Sequence, residues 1–514
     1  MSRPPHSAEA ARDTAIRRCD VCIVGAGATG LNALFVAARY LTREQKVVLV
    51  DSRHRVGGMW VDTYPYVRLH QPHGFFTAGD IAWTLDRERS HLATKGEVLD
   101  HLAYCLDTIE QRVRVDELFG WTMVSHEETD GLVRATCVSA DGRSQVIETK
   151  RLIKAYGFRI TPNDPLDLSS TRVRSVSPDY CDMRGDEMRE GAEPVWIVGS
   201  GKTAMDTAHT LITEYPGREV NLLAGSGTFF NDRDRFFPTG ARRWWDGELV
   251  SGFLRATTRR FDGTNEAAVW EWHRATFGTW PTPETGSFLL GILSESENAT
   301  IAAGTNEVLM DHLVDAVDDD GTPQLILRSG ARKAIPPGSW IVNCTGYLMR
   351  HDHPYEPYVS DSGAVLSIQP RSATMHLTTM IGYFLTHLMF SDKLTEVPLY
   401  ALDVPDLIGK SKTVLPYTVL ALTQYNASLL YDALPSAVFG ECGLDFDRWY
   451  PLPRRALAMA RFALTHRRDR AHLRHVLDTV RERFDVRCGP LADDDGPAAI
   501  GIPSRRSASS DASY

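Results

Sequence analysis

Val21-Cys22-Ile23-Val24-Gly25-Ala26-Gly27-Ala28-Thr29-Gly30 decides how the chain is read. A short β-branched run ends in G-x-G-x-x-G, and an apolar helical pattern follows in Leu31, Leu34, Phe35, Ala38 and Leu41. Val47-Val48-Leu49-Val50 predicts a second strand, which closes on Asp51, roughly twenty residues past the last glycine. This order is that of a βαβ dinucleotide fold. Gly25, Gly27 and Gly30 turn the chain tightly and let the backbone approach a pyrophosphate at a helix N-terminus, and Asp51 can take the ribose hydroxyls.

Working outward, Gly57-Gly58-Met59-Trp60 follows the acid, then Tyr64-Pro65-Tyr66-Val67-Arg68-Leu69-His70-Gln71-Pro72. Gly58 lets the backbone pass close to something flat, and Trp60 with the later aromatic and polar residues could wall it in. Glu97 to Arg112 has the period of an amphipathic helix. Trp121 to Ile153 alternates in period two around Asp141-Gly142, which predicts a small β-meander inserted in the first domain.

The opening device then recurs. Val195-Trp196-Ile197-Val198-Gly199-Ser200-Gly201-Lys202-Thr203-Ala204 reads as strand, G-x-G-x-x-A and helix. The first glycine of a phosphate loop would fall on Trp196, so Gly201-Lys202-Thr203 does not predict a nucleoside triphosphatase. The next strand, Glu219 to Leu223, ends without a carboxylate. An acid there would repel the extra phosphate of NADP. Its absence, with Lys202, Arg233 and Arg235 nearby in sequence, tilts the reading toward NADPH.

Residues 229–300 interrupt the repeat with Phe229 to Phe237 and then Arg242-Arg243-Trp244-Trp245, a segment that either lines a pocket or braces an insertion. Gln324 to Leu327 and Ser339 to Val342 predict a strand pair leading into Asn343-Cys344-Thr345-Gly346-Tyr347, a crossover back to the first domain. The remainder reads as largely helical.

The expected class is therefore α/β, with two Rossmann-like dinucleotide-binding domains, one for FAD and one for NADPH, the second nested in the first, and a C-terminal helical region. The expected boundaries are a leader over 1–18 and the FAD-binding domain with its meander over 19–190. The NADPH-binding domain follows over 191–338, the FAD-domain return with the helical region over 339–485, and a disordered tail over 486–514.

Composition narrows the function classes. The chain has 514 residues, enough for two or three domains, and its 43% hydrophobic and 24% charged content is that of a globular protein in water. A net charge of −10 argues against a general nucleic-acid binder. No apolar run reaches the length of a membrane span and the N-terminus lacks a signal-peptide core, so no membrane association and a cytoplasmic location are expected. The eight cysteines are scattered. Cys19 and Cys22 have no second pair to complete a metal site, and no metal is expected.

These motifs together resemble the class B flavin-dependent monooxygenases: Gly25-x-Gly27-x-x-Gly30, Gly57-Gly58-x-Trp60, Gly199-x-Gly201 and Cys344-Thr345-Gly346-Tyr347, in order over roughly residues 20 to 390. The resemblance implies that NADPH reduces FAD and that one oxygen atom of O₂ passes through a flavin C4a-hydroperoxide to a nucleophilic atom of a small-molecule substrate. The favoured reaction is N-hydroxylation of a small amine or amino acid in specialised metabolism such as antibiotic biosynthesis. S-oxygenation, Baeyer–Villiger oxidation and an FAD/NADPH disulfide or quinone reductase are the alternatives. Thr345 and Gly346 join the cofactor-binding set on this ground.

The chain departs from the family pattern in four places, one being a missing late Gly-Asp in the region where Met380-Ile381-Gly382-Tyr383-Phe384 stands. Family members place an Asn seven residues into a Y-x-x-V-x-x-N stretch; Tyr64 and Val67 match, but His70 stands in its place with Gln71 next to it, and one of the two is expected near the flavin as the catalytic polar group. The F-x-G-x-x-x-H fingerprint is absent, which lowers Baeyer–Villiger oxidation. Tyr156 replaces the Thr of the first A-T-G crossover. Arg233, Arg235, Arg242 and Arg243 are expected to clamp a substrate carboxylate. The oligomeric state is left open, a homodimer being one outcome.

Overall fold

A computed structural model describes residues 16–157, 161–346 and 354–491. Most of the expected leader and tail, and Tyr347, lie outside the described residues.

The first unit is β1 (Ile16–Val24), α1 (Ala28–Tyr40) and β2 (Lys46–Asp51), with Val21 beside Val47 and Val24 beside Val50 in parallel register. The sheet continues through α2 (Lys95–Glu110), β3 (Arg114–Phe119), β4 (Trp121–Thr129), β5 (Leu132–Ser139) and β6 (Ser144–Ala155) in the order β3-β2-β1-β6-β5-β4. Val21 and Ile23 enter the core shared with α1, while Cys22 and Val24 enter the core on the other face. Both faces of β1 are covered, which is why it reads as a continuous apolar run rather than an alternating one. α1 is buried without interruption from Thr29 to Ala38 because it lies between this sheet and helix Thr378–Phe390. Removing a buried side chain such as Leu34 costs about 2–5 kcal/mol.

The expected meander forms, with β4 antiparallel to β5 and β5 to β6, and it is continuous with the first unit's sheet. β6 runs parallel to β1 along its length, pairs antiparallel with β5 through its first half, and takes Val365–Ile368 as a parallel neighbour through its second half. Its register carries the chain directly to Ala155-Tyr156-Gly157 beside the first glycine turn.

The second unit comprises β7 (Arg174–Val176), α3 (Asp186–Glu190), β8 (Val195–Val198), α4 (Lys202–Glu214) and β9 (Val220–Leu223). Its sheet is parallel throughout, in the order Glu307–Leu309, β9, β8, Trp340–Asn343, β7. The strand pair expected from Gln324–Leu327 and Ser339–Val342 does not form. Thr322–Leu327 lies in a separate three-stranded antiparallel sheet, and Trp340–Asn343 sits between β8 and β7. Burial explains the split: all four residues of Trp340–Asn343 are buried, whereas Thr322–Leu327 alternates.

At the termini the boundaries also move. Ile16–Arg18 belong to β1, and Cys488–Pro490 pair antiparallel with Tyr400–Leu402 instead of starting the tail. The C-terminal region is helical as expected, built on Leu415–Ala433 against Leu452–Phe484. Among the described residues no helix is long and apolar enough to cross a membrane, and no cluster of His, Cys, Asp and Glu could hold a metal ion.

Candidate cofactor and substrate site

Gly25 has φ +110°, and a Cβ built on it would stand 2.5 Å from the Ala155 carbonyl oxygen, so the turn closes only with glycine. Gly199 holds the equivalent place in the second unit, against the Cys344 carbonyl. Cys344-Thr345-Gly346 therefore belongs to the second glycine turn, and the first turn is matched by Ala155-Tyr156-Gly157. Thr345 is fixed there by bonds to Asn343 Oδ1 at 3.2 Å from its N–H and 2.7 Å from its hydroxyl. Gly58 packs on Gly27 so closely that a Cβ on Gly58 would lie 2.6 Å from the Gly27 Cα. Asp51 ties the turn together, accepting from the Ala26 N–H at 2.7 Å and the Arg53 N–H at 2.8 Å.

Helix starts differ in how their first N–H groups are met. α2 begins with a full capping box, Thr94 and Glu97, and helix Glu295–Gly304 with another, Ser294 and Glu297. α1, α4 and helix Thr378–Phe390 begin at Gly27, Gly201 and Leu377 with no side-chain cap. Their first-turn N–H groups receive no side-chain acceptor, so they are donors that anionic or carbonyl oxygens of a ligand can satisfy.

A cavity of about 550 Å³ opens over the first turn. Gly25, Gly27, Asp51, Arg53 and Gly58 line one part, and Trp60, Gln71, Phe75, Phe76, His376, Thr378 and Phe446 line another. Its size suits a dinucleotide-scale ligand. The glycine cradle and the uncapped ends of α1 and Thr378–Phe390 fit FAD, with Asp51 toward a ribose and the aromatic end toward a flat ring. The second turn and uncapped α4 fit a nicotinamide dinucleotide.

The structure divides the two residues expected near the flavin. Gln71 lines the cavity. His70 does not. It looks toward the second unit, where burial first and Lys202 second push its pKa down to about 4. Its carbonyl oxygen accepts from Arg233 Nε at 2.7 Å.

The arginine clamp does not form either. Arg233 is buried and paired with Glu297 at 2.8 Å. Burial works against the Glu297 carboxylate, but Lys202 and Arg233 outweigh it and hold the pKa at about 2. Arg235 is exposed with its guanidinium over Phe277, Arg242 pairs with Asp246 on the surface, and Arg243 bonds backbone oxygens of Gly240 and Trp449. Lys202 is ion-paired with Asp206. Of the three basic residues that favoured NADPH, Lys202 and Arg233 are thus paired within the chain and Arg235 is exposed. The aromatic segment is bracing: Phe229 stacks on Phe288, and Phe236 and Phe237 join Phe75, Phe253, Phe277 and Trp449 in one buried cluster.

Two hydroxyls stitch the loop after Trp60 to the second unit. Tyr64 donates to Asp206 at 2.8 Å, and Tyr66 bonds Thr207 at 2.7 Å. Sequence reasoning missed Phe75, Phe76, Phe446, His376 and Thr378. Only the last pair left a signal, an apolar helical run starting at Thr378 with no Ser, Asp or Asn cap before it.

The model of the pyridine nucleotide-disulphide oxidoreductase family matches residues 19–245. An uncharacterised protein of Mycobacterium tuberculosis is 28% identical over 204 residues, 38% of this chain and 36% of the relative, so the chain matches about a third of that relative's length. An oxidised steroid monooxygenase bound to NADP superposes with a TM-score of 0.50 at 15% identity, over 87% of this chain and 98% of its own. A flavin-containing monooxygenase from Stenotrophomonas maltophilia gives 0.46 at 14% identity, over 73% and 99%.

The fold is thus shared with that steroid monooxygenase, and the family match covers the first glycine turn and the start of the second unit, the two dinucleotide-binding units that the sequence motifs led one to expect.

Proposed function

We propose that the chain is an FAD- and NADPH-dependent monooxygenase that transfers one oxygen atom of O₂ to the nitrogen of a small, largely apolar amine. When bound, the two cofactors supply hydride and activate O₂. The chain's own contribution is binding, orientation and exclusion of water. The α1 N-terminus and its glycines receive a pyrophosphate, Asp51 a ribose, and Trp60, Phe75, Phe76 and Phe446 keep the far end of the cavity dry. Gln71 offers an amide there, the group best placed to orient a substrate amine.

One observation carries the choice of monooxygenase over disulfide reductase. All eight cysteines are free, and none lines the cavity. Burial raises the thiols of Cys19 to about 11 and of Cys137, Cys344 and Cys442 to about 12, so none is a ready thiolate. The amino-acid half of the sequence reading loses its support. The cavity's one arginine, Arg53, is already held by Asp62 at 2.8 Å and by Asp51. An uncharged or monocationic amine fits better than a carboxylate, and a thioether is the second choice. The nicotinamide assignment to NADPH rests chiefly on the missing acid after β9.

The test is ¹⁸O₂ turnover with NADPH, FAD and a panel of amines, thioethers and ketones. One ¹⁸O in an amine product supports the reading. Oxidation of NADPH with all oxygen released as peroxide for every compound, or two thiols newly titratable after reduction, overturns it.

A further inference from the structure

We infer that His376 is a fixed hydrogen-bond acceptor that reads an imide N–H on the ring system held in the first cavity. The inference rests on the FAD assignment above and adds to it one residue and one atom.

His376 lines the cavity immediately before Leu377, the uncapped start of helix Thr378–Phe390. Behind it stands Thr423, on helix Leu415–Ala433. The Thr423 hydroxyl donates its single proton to the Val419 carbonyl at 2.9 Å. The same oxygen then serves only as an acceptor, from the His376 backbone N–H at 2.9 Å and from His376 Nδ1 at 3.1 Å. With the hydroxyl proton committed to Val419, the second bond is made by the tautomer that carries the ring proton on Nδ1. Nε2 is left as a lone pair, and no described residue donates to it.

Burial keeps the imidazole neutral, with its pKa pushed down to about 4, so the tautomer holds across the physiological range. The wall at this point therefore offers an acceptor, Nε2, next to donors, the first-turn N–H groups of the helix. That pair complements a carbonyl beside an N–H. Oxidised isoalloxazine carries one N–H, N3–H, set between two carbonyls, and so presents the matching edge.

The flavin-free protein is titrated with FAD and with 3-methyl-FAD, which lacks that N–H, and binding is read by flavin fluorescence quenching. The wild type should prefer FAD by about tenfold, the size of one lost hydrogen bond to a buried acceptor. His376→Leu keeps the bulk without the acceptor, and the preference should fall to within about twofold. His376→Gln, of similar size with a carbonyl acceptor, should keep most of it. Thr423→Val retains the imidazole but frees the tautomer, and should lose part of the preference, which covers the case in which the Leu variant does not fold. An unchanged preference in His376→Leu, or no preference in the wild type, overturns the inference while leaving the FAD assignment standing. A wild-type protein that takes up no FAD overturns both.

Discussion

The Tyr64 hydroxyl donates to the Asp206 carboxylate at 2.8 Å, across 142 residues of sequence, and the same carboxylate holds the Lys202 ammonium at the start of α4. One bond thus connects the loop that walls the first cavity to the helix that serves the second glycine turn.

Tyr64→Phe removes that bond and leaves the ring in place. The chain should lose about 1 kcal/mol of unfolding free energy in urea. With Asp206 less constrained, Lys202 slackens, and KM for NADPH should rise about threefold while FAD uptake is unchanged. A rise in the FAD dissociation constant instead would place Tyr64 at the first cofactor.

Gly58→Ala tests the close approach at the cradle. Gly58 has φ +56°, and the added methyl would meet the Gly27 Cα at 2.6 Å. The two glycine segments must part, and FAD affinity should fall by about a hundredfold, a loss of about 3 kcal/mol. Far-UV circular dichroism should not change, because the surrounding βαβ unit does not depend on this contact. A yellow variant with undiminished affinity would show that the ligand does not lie over this crossing.

These two residues also mark what the sequence made legible. G-x-G-x-x-G announces itself because a tight strand-to-helix turn tolerates no other residues at Gly25 and Gly30, whatever lies elsewhere in the chain. The site's other half was hidden. Thr378 meets Thr29 at 2.9 Å across 349 residues, and nothing local to Ala373-Thr374-Met375-His376 foretells a partner so remote. Arg233 misled for the same reason, since Glu297, which neutralises it, stands 64 residues away. His70 and Gln71 were indistinguishable until the direction of each side chain was known. Local backbone demands survive in sequence, and pairings across the fold do not.

Asp445 caps the turn that presents Phe446 to the cavity, accepting from the Asp447 N–H at 3.0 Å. Burial first and the Asp447 carboxylate second raise its pKa from 3.8 to about 6. A raised carboxyl pKa means that the fold favours the protonated form. Its contribution to stability is thus full below about pH 4 and is lost as the pH rises through 6. The shift corresponds to about 3 kcal/mol, which falls to about 1–2 because the side chain is one-third exposed. Asp445→Asn keeps a good cap without the charge. It should therefore melt higher than the wild type at pH 8, and the two should converge at pH 4.5. Equal melting temperatures at pH 8 would mean that solvent already screens the carboxylate.

Arg233 and Arg242 separate bracing from substrate clamping. Arg233 is buried, bonded to the His70 carbonyl and paired with Glu297. Arg233→Ala strands a carboxylate whose pKa is held at about 2, and the loss should be about 3 kcal/mol of stability, the penalty for half of a buried pair. Double replacement, Arg233→Met with Glu297→Gln, removes both charges and should recover most of that loss. Arg242 and Asp246 form an exposed i,i+4 pair, so Arg242→Ala should change stability by less than about 0.5 kcal/mol. Neither substitution should raise KM for an amine substrate beyond what the stability loss explains. If Arg242→Ala raised KM for a carboxylate-bearing amine more than tenfold with stability intact, that surface arginine would have to reach the substrate by a movement of residues 240–244, and the clamp would return.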